Sequence, residues 1–263
     1  MKRLDPFVHL HSHTEYSLFD GISRIGELVS HVKEMGQTAL AITDHGVMYG
    51  AVYLYKECIK QGIKPIIGCE IYVTRGSRFD KSGNGKEKLA HLILLAENNE
   101  GYQNLIKICS KAWTEGYYHR PRADHELLEK YHEGLIVTSA CVGGEVPQAI
   151  LNGDMDEARK VIEFYINTFG KDNYFLEIQN HGLPEEAAVR PVLASLAKEY
   201  GLGLVATNDF HYTKKEDARS QEIKLCISTG KTLDDPYHFH FANDEFYCKS
   251  GDEMRAILGN FPG

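Results

Sequence analysis

The residues with most chemistry to offer lie near the start of the chain, in Val8-His9-Leu10-His11-Ser12-His13-Thr14. Alternate side chains of a β-strand share a face, so His9, His11 and His13 would stand in one row. Buried imidazole nitrogens need partners, and neutral imidazole is the commonest metal ligand. A solvated edge strand is the competing reading of this stretch, and the rest of the chain must decide.

Further candidate ligands recur beside apolar runs. Asp20 follows the first run, and His45 follows the second, Thr38 to Asp44. Glu70 sits inside the third, which begins at Pro65. Cys141 closes the run from Leu135, while Asp209 and His211 end the one from Gly203. His91 falls early in the Leu89 to Ala96 run and fits less neatly. A carboxylate such as Glu70 in an apolar strand needs a cation or strong hydrogen-bond donors. Imidazole, carboxylate and one thiolate together suit zinc, manganese or iron. With His11 and His13 these seven make nine, more than one tetrahedral ion needs. Two or three ions sharing a bridging carboxylate, with Glu70 as the bridge, is the natural partition. Adjacent ions clamp the attacking and leaving oxygens of a phosphoryl displacement and make water acidic, so phosphoester hydrolysis is the expected chemistry.

Elements that could position these residues alternate along the chain as short apolar runs and amphipathic stretches, the pattern of βα units. The runs predict seven strands: Phe7 to His13, Thr38 to His45, Pro65 to Thr74, Leu89 to Ala96, Gly134 to Cys141, Tyr174 to Asn180 and Gly203 to Asp209. Helices are expected from Ile25 to Met35, Tyr49 to Gln61, Gly101 to Trp113, His125 to Tyr131 and Pro184 to Tyr200. Helical patterns also fill the stretch up to Phe169 and begin again near Glu216. A polar stretch around Asp234 to Asn243, a short strand and a last helix complete the tail. Arg75 to Lys88, with Gly76, Gly83 and Gly85, reads as an exposed loop. A distorted (β/α)7 barrel in a single domain, residues 1–263, follows, with a doubly wound open sheet as the alternative. The carboxyl ends of parallel barrel strands share one rim, and the candidate ligands would converge there.

Composition narrows the function. A net charge of −8 argues against broad electrostatic binding to a phosphate backbone. Bound cations can still create a site for phosphate on an acidic protein. Six scattered cysteines without a close pair point to reduced thiols and a cytoplasmic protein. The first residues, Met1 to Pro6, lack the apolar run of a signal peptide, and no stretch is apolar enough to span a membrane.

Four motifs taken together resemble the PHP (polymerase and histidinol phosphatase) superfamily. They are His9-Leu10-His11-Ser12-His13-Thr14, Ala41-Ile42-Thr43-Asp44-His45-Gly46, Pro65-Ile66-Ile67-Gly68-Cys69-Glu70 and Ala206-Thr207-Asn208-Asp209-Phe210-His211-Tyr212. Glu15 to Gly21, Tyr117 to Asp124 and Ser139 to Gly144 are most similar to the PHP domains of bacterial DNA polymerase III alpha subunits. The resemblance covers nearly the whole chain and implies three divalent ions (Zn2+, Mn2+ or Fe2+). It assigns His11, His13, Glu70 and Asp209 to the first ion. Glu70, His91 and Cys141 fall to the second, and Asp20, His45 and His211 to the third. His9 would stand behind the ligands. Catalysis would rest on Glu70, Asp209 and His211.

The implied activity is 3′–5′ exonuclease proofreading on a DNA 3′ end, with a polymerase core as partner in a longer polypeptide. A small-molecule phosphatase and a metal-stabilised structural module are the alternatives. Arg120 and Arg122 could hold a phosphate while an aromatic side chain stacks a base. Tyr16, Gln179, Asn180, His181 and Asn208 could line the pocket by position.

Overall fold

The computed structural model describes residues 5–82 and 89–261. The first four residues and the part of the expected loop that holds Gly83 and Gly85 lie outside the described residues.

Helix boundaries follow local chemistry. Helix α1 (Ile25–Met35) buries Leu28, Val29 and Val32 at helical spacing, and ends where Gly36 turns left-handed at φ 85°. After strand β1 (Ala39–Ile42) comes α2 (Ala51–Gln61), which buries Leu54 and Cys58. Strands β2 (Lys64–Val73) and β3 (Ala90–Ala96) are long and apolar. Helix α3 (Asn99–Thr114) starts where the Asn98 side chain accepts from the Gly101 N–H. Strand β4 (Arg122–Ala123) leads into α4 (His125–Lys130), capped in the same manner by Asp124. Strand β5 (Leu135–Thr138), α5 (Glu145–Leu151), α6 (Met155–Phe169), β6 (Tyr174–Ile178), α7 (Pro184–Tyr200) and β7 (Gly203–Ala206) complete the repeat. The tail adds α8 (Ala218–Thr229) and α9 (Gly251–Leu258).

Among the described residues the seven strands form one sheet in the order β1-β2-β3-β5-β6-β7, with β4 beside β2. Most pairings are parallel, but β3 runs antiparallel to both β2 and β5. The reversal explains the awkward position of His91. The amino end of β3 lies at the same rim as the carboxyl ends of its neighbours, and His91 pairs in register with Tyr72 of β2.

The expected first strand needs correction. Residues from Asp5 to Ser12 make isolated bridges to Gln37, Leu40 and Phe210 rather than a ladder. Ser12 supplies the reason: its N–H donates to the Thr43 hydroxyl and its own hydroxyl donates to the Ala41 carbonyl, so side chains replace ladder bonds. The segment nevertheless touches both ends of the curled sheet. The Ala41 N–H donates to His9 O on the β1 side, and the His13 N–H donates to Phe210 O beyond β7. A distorted barrel results, and the open doubly wound sheet is set aside. The expected last strand is likewise reduced to a bridge between Tyr212 and Tyr247.

The core lies between sheet and helices. Leu92, Leu94, Val137 and Leu176 pack with Leu105, Ile162 and Leu193, all nearly inaccessible. Burying each such side chain stabilises the fold by about 1.5–3 kcal/mol. Polar ligand side chains can therefore crowd the rim of a scaffold fixed from below.

Candidate metal centre

Four acceptor-rich side chains meet at the rim. His11, His13, Glu70 and Asp209 each place a ligand atom within 4.8 Å of the others, and all four are buried. Nε2 of His13 lies 3.1 Å from Glu70 Oε2 and 3.0 Å from Asp209 Oδ1. Beside this group, Glu70, His91 and Cys141 form a second, with His91 Nδ1 2.7 Å from Glu70 Oε1 and 3.7 Å from Cys141 Sγ. A third unites His13, His45 and His211. Asp20 flanks it, its Oδ2 3.4 Å from His45 Nε2 and 3.8 Å from His211 Nε2. The family resemblance implied first and second sets with these same members. The third group holds His13 where the resemblance put Asp20, which flanks it.

Despite this crowding, His11 Nε2, His13 Nε2, His45 Nδ1, both Glu70 oxygens and Asp209 Oδ1 meet only one another and His91, with no hydrogen-bond partner outside the group. Leaving so many buried polar atoms unpaired would cost several kcal/mol, about 1–3 for each. Their lone pairs share a common space instead, and an N, O and S donor set of this kind fits divalent cations.

The tautomers are prepared for that task. His11 Nδ1–H donates to Glu177 Oε1 at 2.7 Å, which turns Nε2 toward Glu70 and Asp209 as the atom available to a metal. Ser17 donates its hydroxyl proton to Asp44, so it accepts from His13 Nδ1–H at 2.8 Å. His211 Nδ1–H donates to the Asp209 carbonyl, again freeing Nε2.

Backbone conformation sets the direction of two of the candidate ligands. Asp209 and Ala140, which precedes Cys141, have φ of 39° and 58°, strained for residues with a Cβ.

The cluster's charges act strongly on one another. Burial opposes ionisation of Glu70, but His91, His45 and His11 override it and hold the carboxyl well below its usual range. Asp209 is lowered in the same way, chiefly by His11 and His13. Burial also opposes the imidazolium forms of His11 and His45. The carboxylates of Asp209, Glu177 and Glu70 raise the first, and those of Glu70 and Asp20 raise the second. Burial, aided by His13, pushes His211 down to about 4.

A cleft of about 400 Å³ opens onto the group, lined by Asp20, His45, His91, Tyr72 and Arg120 among others. Arg120 is exposed, with its guanidinium over the rings of Phe19 and Tyr72 at 5.5 and 5.6 Å. Tyr16 lines a second cleft nearby.

Other expectations resolve differently. Arg122 is buried and donates to the carbonyls of Gly116, Arg78 and Asp80, which fastens the loop. His181 is buried as well: Nε2–H donates to Asn208 O, and Nδ1 faces Glu186 at 2.5 Å. It stacks on Phe246, and both ring nitrogens are engaged by Glu186 and Asn208. Asn208 binds the carbonyls of Glu245 and Tyr247, Asn180 donates to Ile257 O, and Gln179 joins the Glu177 network. His9 was expected behind the candidate ligands but is held elsewhere. Its Nε2–H donates to Lys249 O, its ring packs on Phe7 and Phe210, and burial lowers its pKa to about 4.

The supporting residues that sequence reasoning missed are Glu177, Asp44 and Ser17. Glu177 was findable, since it is a carboxylate inside the apolar run Tyr174 to Ile178, like Glu70 in its own strand. Asp44 and Ser17 carry no such signal.

Residues 9–181 match the PHP domain family, and the chain belongs to that family. It is 49% identical over 257 residues to the DNA polymerase III subunit alpha of Treponema pallidum, and 50% identical over 256 residues to that of Thermus aquaticus. These alignments cover 97% and 96% of this chain but only 22% and 21% of the relatives, so the chain spans about a fifth of their length. Two solved structures share the fold at 15% identity. An amidohydrolase from Chromobacterium violaceum superposes with a TM-score of 0.53 over 82% of this chain and 96% of its own. A protein from Bifidobacterium adolescentis, assigned as a metal-dependent phosphoesterase, gives 0.50 over 97% and 96%. Among the described residues no helix is long and apolar enough to cross a membrane.

Proposed function

We propose that this domain is a metal-dependent phosphoesterase that removes nucleotides from DNA 3′ ends, a proofreading 3′–5′ exonuclease. The carrying observation is the convergence of buried ligand atoms from His11, His13, Glu70 and Asp209 on one point beneath an open cleft. Three ions are the natural complement: the first held by those four, the second by Glu70, His91 and Cys141, the third by Asp20, His45 and His211. Divalent ions bound there supply Lewis acidity to phosphoryl oxygens and lower the pKa of water.

The chain's own groups do the rest. Glu70 turns one oxygen toward His91 and the other toward His13 and His45, so one carboxylate serves neighbouring groups. Asp209 Oδ1 meets both His11 and His13, at 3.1 and 3.0 Å. His211 keeps Nε2 unprotonated for binding through its Nδ1–H bond to the Asp209 carbonyl. Arg120, at the cleft wall, offers a positive charge to the diester. A polymerase core in the same polypeptide is the proposed partner, and the cytoplasm the proposed location, because the similar relatives are polymerase subunits.

The test supplies a 3′-labelled primer with paired or mismatched ends to the metal-loaded protein. Stepwise shortening that stops with chelator and in Asp209→Asn protein supports the reading. Full metal content with inert DNA would favour a structural module. Hydrolysis of histidinol phosphate with untouched DNA would favour a small-molecule phosphatase.

A further inference from the structure

Beside the metal cleft lies a second one, also about 400 Å³, and the two share a wall made of Phe19, His45, Tyr72, His119 and Arg120. The lining of the second cleft is aromatic. Trp113 and Tyr117 stack with centroids 5.3 Å apart and planes 11° apart, and both remain exposed, at 41% and 47%. Trp113 Nε1–H donates to the carbonyl of Gly46, the residue after His45, so the indole is fastened to the loop that carries a candidate ligand. In a chain of net charge −8, no carboxylate among the described residues lines this second cleft, and Arg120 stands at the junction. His119 holds φ at 60°, a conformation unfavourable for it, in the loop that presents Arg120.

We propose that this second cleft is a subsite for the nucleotide preceding the scissile one, and that the domain therefore takes a strand with at least two unpaired nucleotides. The inference rests on the phosphodiester reading of the metal site. An exposed aromatic pair whose indole is fixed by a hydrogen bond offers a platform on which any base can stack, worth about 1–3 kcal/mol per base. A base engaged in a duplex keeps its faces covered by its neighbours. Arg120, between the clefts, is placed to meet the phosphate that links the two nucleotides. The lining of the second cleft sets no carboxylate against that phosphate.

Trp113 is the sole tryptophan of the chain, so its fluorescence reports this cleft alone. The experiment titrates a deoxythymidylate decamer with a phosphorothioate 3′-terminal linkage into the metal-loaded protein. Saturable quenching is expected with the single strand and little with a blunt duplex containing it. Tyr117→Ala should weaken binding, read by anisotropy of a labelled decamer, about tenfold. Hydrolysis of the ordinary decamer is followed in parallel. Quenching without hydrolysis would remove the exonuclease reading and keep the strand subsite. Hydrolysis without quenching, equal quenching by the duplex, or undiminished affinity in Tyr117→Ala would overturn the subsite.

Discussion

Nδ1 of His11 lies 2.7 Å from Oε1 of Glu177, beneath the candidate metal centre and shielded from water. Glu177 is itself held by Gln179, Thr138 and Thr207. This carboxylate fixes both the tautomer and the orientation of the imidazole above it. Glu177→Ala should lower affinity for the ion at His11 by about 10–100-fold, as for other residues that orient a ligand. Competition with a fluorescent chelator measures it, and unchanged affinity would remove the positioning role.

Metal uptake should depend on pH with a definite sign. His11 and His45 are held above the usual histidine value by neighbouring carboxylates, so near neutrality they carry protons in the metal-free chain. Ligation requires neutral imidazole, so binding must release those protons. Apparent affinity should therefore rise between about pH 6 and pH 8, with fewer protons left to displace. Calorimetry in buffers of different ionisation enthalpy reads the release directly. Buffer-independent heats would contradict it.

Gly144 closes the turn that carries Cys141, and its N–H donates to the Cys141 carbonyl. An alanine Cβ there would stand 2.0 Å from the Ser139 carbonyl oxygen, so the backbone must move. Gly144→Ala should cost about 1–3 kcal/mol of stability, as overpacking does. It should also deplete the ion at His91 and Cys141. Thermal unfolding and metal analysis together check this; a variant that keeps full metal content would show that the turn is less constrained than the contact implies.

Much of the fold and ligand group was legible in the sequence because apolar runs end in ligand-type residues. His91 looked misplaced because strand direction does not show in periodicity; the reversal of β3 is a tertiary fact. Alternation put His9 in one row with His11 and His13, but the first segment bonds through Ser12 and Thr43 side chains and departs from strand geometry. Strand β4, two residues long, was too short to show any period. His181 and Arg122 were plausible from position, yet each is occupied by partners distant in sequence. The clustering of nine side chains survives these misreadings because it depends on which rim each run reaches, and not on exact strand ends.

The central claim, three ions sharing Glu70, is tested most directly by metal content. Elemental analysis of the purified wild-type protein should find about three divalent ions per chain, and that of Glu70→Gln about one, since Glu70 faces two of the three groups. A wild-type protein that holds at most one ion, or a Glu70→Gln protein that retains all three, would contradict the shared carboxylate.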